Sequence, residues 1–171
     1  MFLRLLRLTA IAAAVVLPVR SWIAEPIVIA SGSMEPTLSI GTLLILDKWT
    51  LRARPPRRGE VVSFRSPVGD EDMVKRVIAV PGDQIELRGK KVVLNGAAQD
   101  EDYAVHRREN ETLEGDDLGP MTVPADSYFM LGDNRDESDD SSVWRASSGA
   151  RVYFVSKQAL QGIVRRLPWA E

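Results

Sequence analysis

The segment Ser31-Gly32-Ser33-Met34-Glu35-Pro36-Thr37-Leu38 sets two hydroxyls around a glycine, after an apolar run and before a proline. Glycine permits the tight backbone that exposes the second serine, as a nucleophile elbow does. The same residues also read as an ordinary strand-to-turn transition, and taken alone they favour that reading. A second segment, Met73-Val74-Lys75-Arg76-Val77-Ile78-Ala79-Val80, places a lysine in a nearly continuous apolar strand. In strand alternation Met73, Lys75, Val77 and Ala79 share one face, which sets the ammonium among aliphatic groups. Burial disfavours a charged amine, so a buried lysine can lose its proton near neutral pH and then accept one from serine. Arginine cannot be deprotonated, which makes Arg76 a poor base however close it lies. The competing reading is an edge strand with Lys75 turned to water, and the pattern does not separate the two. A third segment, Leu131 to Ser141, is dense in acid, but Arg135 and Ser138 stand where a calcium-binding EF-hand requires a ligand and a glycine. It reads as a loop held by Asx-turns and an internal Arg–Asp pair.

The rest of the composition narrows the chemistry. The chain has no cysteine, which excludes disulfides, thiolate nucleophiles and cysteine-based metal sites. Its one histidine, His106, lies in the polar stretch Tyr103 to Glu111 and reads as a surface residue rather than part of a triad. A base other than histidine is therefore expected. The formal net charge of -2 argues against general nucleic-acid binding. A basic stretch runs from Lys48 to Arg65 and an acidic one from Asp100 to Asp117; both read as solvated surface loops. With 44% hydrophobic and 27% charged residues, the chain reads as globular.

The elements that must hold these groups are mainly strands. Leu43–Leu46, Val61–Phe64, Val74–Val80, Gln84–Leu87 and Lys91–Leu94 are short aliphatic runs bounded by Gly, Pro, Asn or Asp. Arg88-Gly89-Lys90 reads as a hairpin tip, and Pro81-Gly82-Asp83 and Asn95-Gly96 as turns. Ala98 to Met121 reads as loop. Thr122–Pro124 and Tyr128–Leu131 return to strand character, and Ser156 to Gly162 reads as a helical turn. Upstream, Arg4 and Arg7 precede an uncharged run from Leu8 to Val19, closed by Arg20. That run also fits a secretory signal peptide. Apolar character resumes at Trp22 and Ile23, and arginines can snorkel, so Leu5 to Ala24 is expected to cross the bilayer as an anchor. Arg4 and Arg7 place the N-terminus inside and the rest of the chain outside.

Taken in order, these segments resemble the bacterial type I signal peptidases, the Ser-Lys family. The resemblance rests on Arg20-Ser21-Trp22, Glu25-Pro26, Ser31 to Leu38, Arg58-Gly59-Glu60-Val61-Val62, Lys75-Arg76-Val77-Ile78 with Pro81-Gly82-Asp83, and Gly132 to Ser141. It implies that Ser33 is the nucleophile and Lys75 the general base. It implies that the Ser31 hydroxyl joins the Ser33 N–H in an oxyanion hole. Ser138 would orient the lysine, with Asp140 and Arg76 in supporting positions. Ile29, Met34, Leu38, Met73 and Val74 would line the apolar site for small side chains before the cut, with the substrate bound as an added strand. The implied fold is mainly β: antiparallel sheets forming a catalytic core with a small inserted lobe, residues 83–126, plus an N-terminal transmembrane helix. Residues 1–24 would be the anchor and 25–171 the peptidase domain. No cofactor or metal is implied. The expected partners are preproteins with small residues first and third before the cut, and membrane phospholipid; a monomer is expected. The location implied is the bacterial cytoplasmic membrane, single-pass, with the domain on the extracytoplasmic side.

The chain departs from that family's pattern in three places. Ala30 stands where the family usually has proline, Ser142 where it usually has arginine, and a glycine expected near Tyr153 is missing. Arg145 or Arg151 is a candidate substitute for the missing arginine. A catalytically impaired, membrane-anchored β-domain with a binding or regulatory role is therefore the alternative. A self-cleaving Ser-Lys repressor of the SOS-response type would need a DNA-binding segment in place of the apolar N-terminus.

Overall fold

The computed structural model describes residues 2–167, apart from the side chains of residues 18 and 19. The outermost residues of the expected anchor and domain, 1 and 168–171, lie outside the described residues. Helix α1 (Phe2–Trp22) covers the apolar N-terminal run, with a mean hydropathy of 1.9 and none of it buried. At about 1.5 Å per residue, its 21 residues match a hydrocarbon core about 30 Å thick. The helix ends at Trp22 and strand β1 begins at Ala24, so Ala24 belongs to the β body rather than to the helix.

Among the described residues eleven strands follow: β1 (Ala24–Val28), β2 (Leu43–Asp47), β3 (Val61–Arg65), β4 (Asp72–Ala79), β5 (Gln84–Arg88), β6 (Lys91–Leu94), β7 (Ala97–Ala98), β8 (Leu118–Thr122), β9 (Ser127–Leu131), β10 (Val155–Ser156) and β11 (Leu160–Arg166). One sheet has the order β1-β2-β11-β3-β4-β9-β10 and the other β7-β6-β5-β8; the strand pairs are antiparallel. All four strands of the second sheet fall between Gln84 and Thr122. That sheet is not a separate body. Ile85, Leu87, Val92 and Leu94 share one buried cluster with Ile78, Ala79, Phe129 and Leu131 of the larger sheet.

Turn chemistry sets the second sheet. Gly89 and Lys90 both have positive φ, as do Asn95 and Gly96, which is the backbone of tight two-residue hairpins. Three elements differ from the sequence expectation. Residues 118–122 form β8 at a sheet edge, where a strand containing Gly119 and Pro120 is tolerated. Only Lys157–Ala159 is helical in the expected turn; Leu160–Arg166 is a strand between β2 and β3. Lys48–Ala53 forms helix α2, capped by Asp47, whose side chain accepts from the Thr50 N–H at 2.8 Å.

The charged stretches are more tightly tied than solvated loops. Arg135 and Glu101 form an ion pair at 2.8 Å, with side chains only 7% and 9% exposed. Arg54 pairs with Glu60, and Arg58 with Asp83.

Candidate active site

Ser33 sits in a 3-10 turn, Gly32–Met34, reached from β1 through Ile29 to Ser31, of which Ser31 is extended. Met34 plugs the turn into a buried cluster with Ile29, Leu38 and Leu44. Burial of such side chains is worth about 1.5–3 kcal/mol each, enough to fix the backbone around a serine. The Ser31 and Ser33 hydroxyl oxygens are 3.3 Å apart.

The third segment fastens this turn from the other side. The Asn134 N–H donates to the Ser33 carbonyl at 3.1 Å, and its side-chain amide donates to the Gly32 carbonyl at 3.2 Å. Gly132 is glycine for a steric reason. A Cβ there would lie 2.5 Å from the Ser33 carbonyl oxygen and 2.6 Å from the Ser138 Cβ, and would also strike the Ser138 hydroxyl. Ser138 is therefore packed against the serine turn, and its hydroxyl is buried without a hydrogen-bond partner. Asp140, fully buried, accepts from the Gly132 N–H at 3.0 Å and from the Ser142 hydroxyl at 2.6 Å. Ser142 thus fills the supporting position itself. Arg151 contacts the Ser142 carbonyl and pairs with Glu114, while Arg145 reaches Glu114 and the Gly149 carbonyl. Neither arginine is bonded to Asp140. The Arg151 guanidinium stacks on the ring of Tyr153, in the stretch where a glycine was expected. The charges of the Gly132–Ser141 loop also pair outward rather than internally: Asp133 with Arg76, Arg135 with Glu101, and Asp136 with Lys90.

Lys75 is on β4, paired with β3 and one residue before pairing with β9 begins, and is 3% exposed. Its burial removes the reading in which it turns to water. The alternation holds for Met73 and Val77, which pack in the cluster beside Val62 and Phe64; Val62 is the cross-strand partner of Lys75. It breaks at a register shift between Val77 and Ala79, which sends Ala79 into the other cluster. Burial pushes the Lys75 pKa below its ordinary 10.5, while the charges of Asp140, Asp139 and Asp133 oppose that shift. Burial is the larger cause, so Lys75 gives up its proton more readily than an exposed lysine does. Asp139 moves the other way: burial raises it, and Lys75 lowers it in part.

Ser33 and Lys75 open into one cleft of about 280 Å³. Its walls include Ile29, Ala30, Ser31, Met34, Met73 and Val74. Leu38 lies behind the wall in the Met34 cluster rather than on it. Arg76 points away from the cleft: it pairs with Asp133 at 2.8 Å and stacks over Tyr103 at 3.9 Å from the ring centroid. His106 is half-buried rather than a surface residue. It lies 3.5 Å from Asp136 and lines a different cavity with Leu131 and Ser142. Asn134 and Gly132, which hold the serine turn, and Glu71 and Asp72, on the cleft wall, are functional positions with no role expected from the sequence. The glycine followed by two amide- or carboxylate-bearing residues was the available signal for the backbone clamp.

Two strand edges flank this cleft. Strand β1 is paired on the β2 side alone, and Asp72–Lys75 of β4 are paired on the β3 side alone, since pairing with β9 begins at Arg76. Free N–H and C=O groups on such edges accept an extended peptide as a further strand.

The family model described as signal peptidase, peptidase S26, matches residues 2–169. The chain is similar to a signal peptidase I of Leptolyngbya laminosa, 37% identical over 136 residues, covering 75% of this chain and 64% of the relative. It is 39% identical over 132 residues to a probable signal peptidase I-2 of Synechocystis, covering 74% and 58%. It thus spans less than two thirds of the length of these two relatives. A signal peptidase I P of Bacillus subtilis subsp. natto is 35% identical over 135 residues, covering 77% of this chain and 73% of that one. The fold is similar to the crystal structure of a signal peptidase I from Enterococcus faecalis V583, with a TM-score of 0.50 and 29% identity, over 64% of this chain and 97% of that one.

Proposed function

The chain belongs to the signal peptidase family, peptidase S26, and from that premise we propose that it is a membrane-anchored serine endopeptidase removing N-terminal signal peptides from exported preproteins. The observation that carries this is the shared cleft: Ser33 and Lys75 face one cavity, and the lysine is buried among aliphatic side chains. Ser33 Oγ attacks the scissile carbonyl carbon, and neutral Lys75 takes the hydroxyl proton. The developing oxyanion is met by the Ser33 N–H and the Ser31 hydroxyl, an arrangement whose donors are each worth about 3–4 kcal/mol. The lysine ammonium then gives its proton to the leaving amine. Water, deprotonated by the same amine, hydrolyses the acyl-serine and restores both groups. Ser138 packs against the serine turn with a free hydroxyl and is suited to orient the lysine. Asp140 keeps the Gly132 backbone in place, and Arg76 does the same for Asp133.

The preprotein lies between the free edges of β1 and β4. Its first and third residues before the cut point into the apolar wall of Ile29, Met34, Met73 and Val74, which favours small side chains. Helix α1 holds this cleft at the outer face of the cytoplasmic membrane. Exposed Val28 and Leu43 beside the site, with Trp22 and Trp49 near the end of α1, suit contact with phospholipid.

The test is cleavage of a preprotein with an Ala-x-Ala junction, by full-length protein in detergent and phospholipid. Wild type is expected to cut after the second alanine. Ser33→Ala, Lys75→Ala and Lys75→Arg are expected to lose at least about a thousandfold in rate while keeping their circular dichroism. A folded wild type that does not cut would instead support the binding-module alternative.

A further inference from the structure

A well of about 600 Å³ continues the cleft towards the end of α1. The two share Val28, Asp72 and Val74 as lining, so they are successive parts of one groove between β1 and β4. Their chemistry differs. The cleft beside Ser33 is walled mainly by aliphatic and small side chains, whereas the well has a built polar floor. The Ser63 hydroxyl, itself 4% exposed at the residue level, donates to Gln161 Oε1 at 2.7 Å. Gln161 Nε2 donates to Asp72 Oδ1 at 2.7 Å. Lys48 and Glu25 pair across another wall at 2.8 Å, and Ser21 and Arg52 close the end next to α1. Glu25 and Asp72 set against Lys48 and Arg52 give the well no net sign. The Ser63–Gln161–Asp72 chain leaves hydrogen-bonding capacity free: a second amide hydrogen and lone pair on Gln161, and a lone pair on the Ser63 oxygen.

We propose that this well is a substrate subsite for a polar, uncharged side chain at the fifth residue before the cut. The inference rests on the protease reading above. A peptide added as a strand directs alternate side chains to one face. With the first and third residues in the apolar cleft, the fifth is the next on that face and meets the well. Serine, threonine, asparagine or glutamine there satisfies the free groups of Gln161 and Ser63. Leucine removes water from them and returns no hydrogen bond, which is the unfavourable case for a buried polar group. The well therefore fixes how near to the cut the apolar stretch of a signal peptide can run.

The experiment is a set of preprotein peptides with alanine at the first and third residues before the cut, assayed with full-length protein. Glutamine and leucine are exchanged at the fifth position and, as a control facing the other way, at the fourth. Glutamine at the fifth position is expected to raise kcat/KM about tenfold over leucine, with less than about a twofold effect at the fourth. Gln161→Leu is expected to abolish or invert the preference at the fifth position, and Ser63→Ala to narrow it. Cleavage that depends on Ser33 but treats both fifth residues alike overturns this inference alone. Absence of cleavage, or cleavage that survives Ser33→Ala, overturns the protease reading instead.

Discussion

A buried lysine works against the fold that buries it, and this makes the base proposed at Lys75 testable apart from turnover. Its folded pKa lies below the ordinary 10.5, so the unfolded chain binds more protons than the folded one between the two values. Stability contributed at this position therefore rises with pH through that window and is poorest in acid. Lys75→Met, which is apolar and of similar length, is expected to raise the melting temperature. The gain is largest at low pH and shrinks as the pH climbs towards 10.5, as thermal unfolding followed across pH will show. A gain independent of pH would mean the lysine is not held neutral. The groups acting on it by charge are Asp140, Asp139 and Asp133, with Glu71 acting on Asp139 in turn. Asp139→Asn removes a negative charge that favours the ammonium, so the acid limb of kcat/KM is expected to move to lower pH. Movement to higher pH would contradict the assignment of Lys75 as the base. At this scale the sequence was only partly legible. The period-2 pattern put Lys75 among aliphatics, but β9 pairs with β4 only from Arg76 onward, so burial of Lys75 depended on the loop after β9, whose Asp133, Asp139 and Asp140 act on it, and on the serine turn that shares its cleft. That is a packing fact, carried by residues distant from Lys75 in the sequence.

Strands β4 and β9 and the loop after β9 form the frame that holds the serine turn, and Gly132 is where that frame is tightest. A methyl group at this position meets a backbone oxygen, Ser33 O, which cannot swing aside as a flexible side chain could. Gly132→Ala is expected to cost about 1–3 kcal/mol and to lower kcat by more than the stability loss explains, because the shift falls on Ser33, the proposed nucleophile. Thermal melts and kcat measured together check this. A stable, fully active variant would show that the clamp does not position Ser33. The short strands were readable from aliphatic runs and their turn residues, and the Gly-Lys and Asn-Gly hairpins were fixed by local backbone chemistry. Strand β11 was not readable. Its Gln161 and Gly162 break the aliphatic run, yet Gly162 is there for space: a Cβ would press on the Leu46 side chain of β2. A residue chosen for close approach between strands carries no strand signal of its own. The expected internal Arg–Asp pair failed for a related reason, since spacing along the loop does not show that Arg76 and Glu101 lie within reach.

Across the whole molecule, apolar surface is divided between two environments. The three buried clusters draw on residues from Ile27 to Val164, and none includes a described residue of α1. Helix α1 instead exposes Phe2, Leu3, Leu5, Leu6, Leu8, Ile11, Val15, Val16 and Leu17, and touches the β body through exposed contacts such as Arg20 with Glu25. Exposed pairs of this kind contribute little to stability. A chain beginning at Ile23 is therefore expected to fold and to melt within about 2 °C of the full-length protein. What it loses is placement. In the proposed function, α1 in the bilayer sets the protein and a membrane-held preprotein on one surface, where effective concentration replaces diffusion from bulk. The shortened chain is expected to cleave a short soluble peptide at a rate close to wild type, and a preprotein in vesicles about 10–100-fold more slowly. Equal loss on both substrates would instead place the end of α1 inside the working site. That outcome has a physical route, because Ser21 and Arg52 close the polar well, and Arg52 stacks on Trp22 at 4.7 Å from the ring centroid. The ratio of the two rates therefore separates a helix that only delivers the cleft to the membrane from one that also completes its far wall.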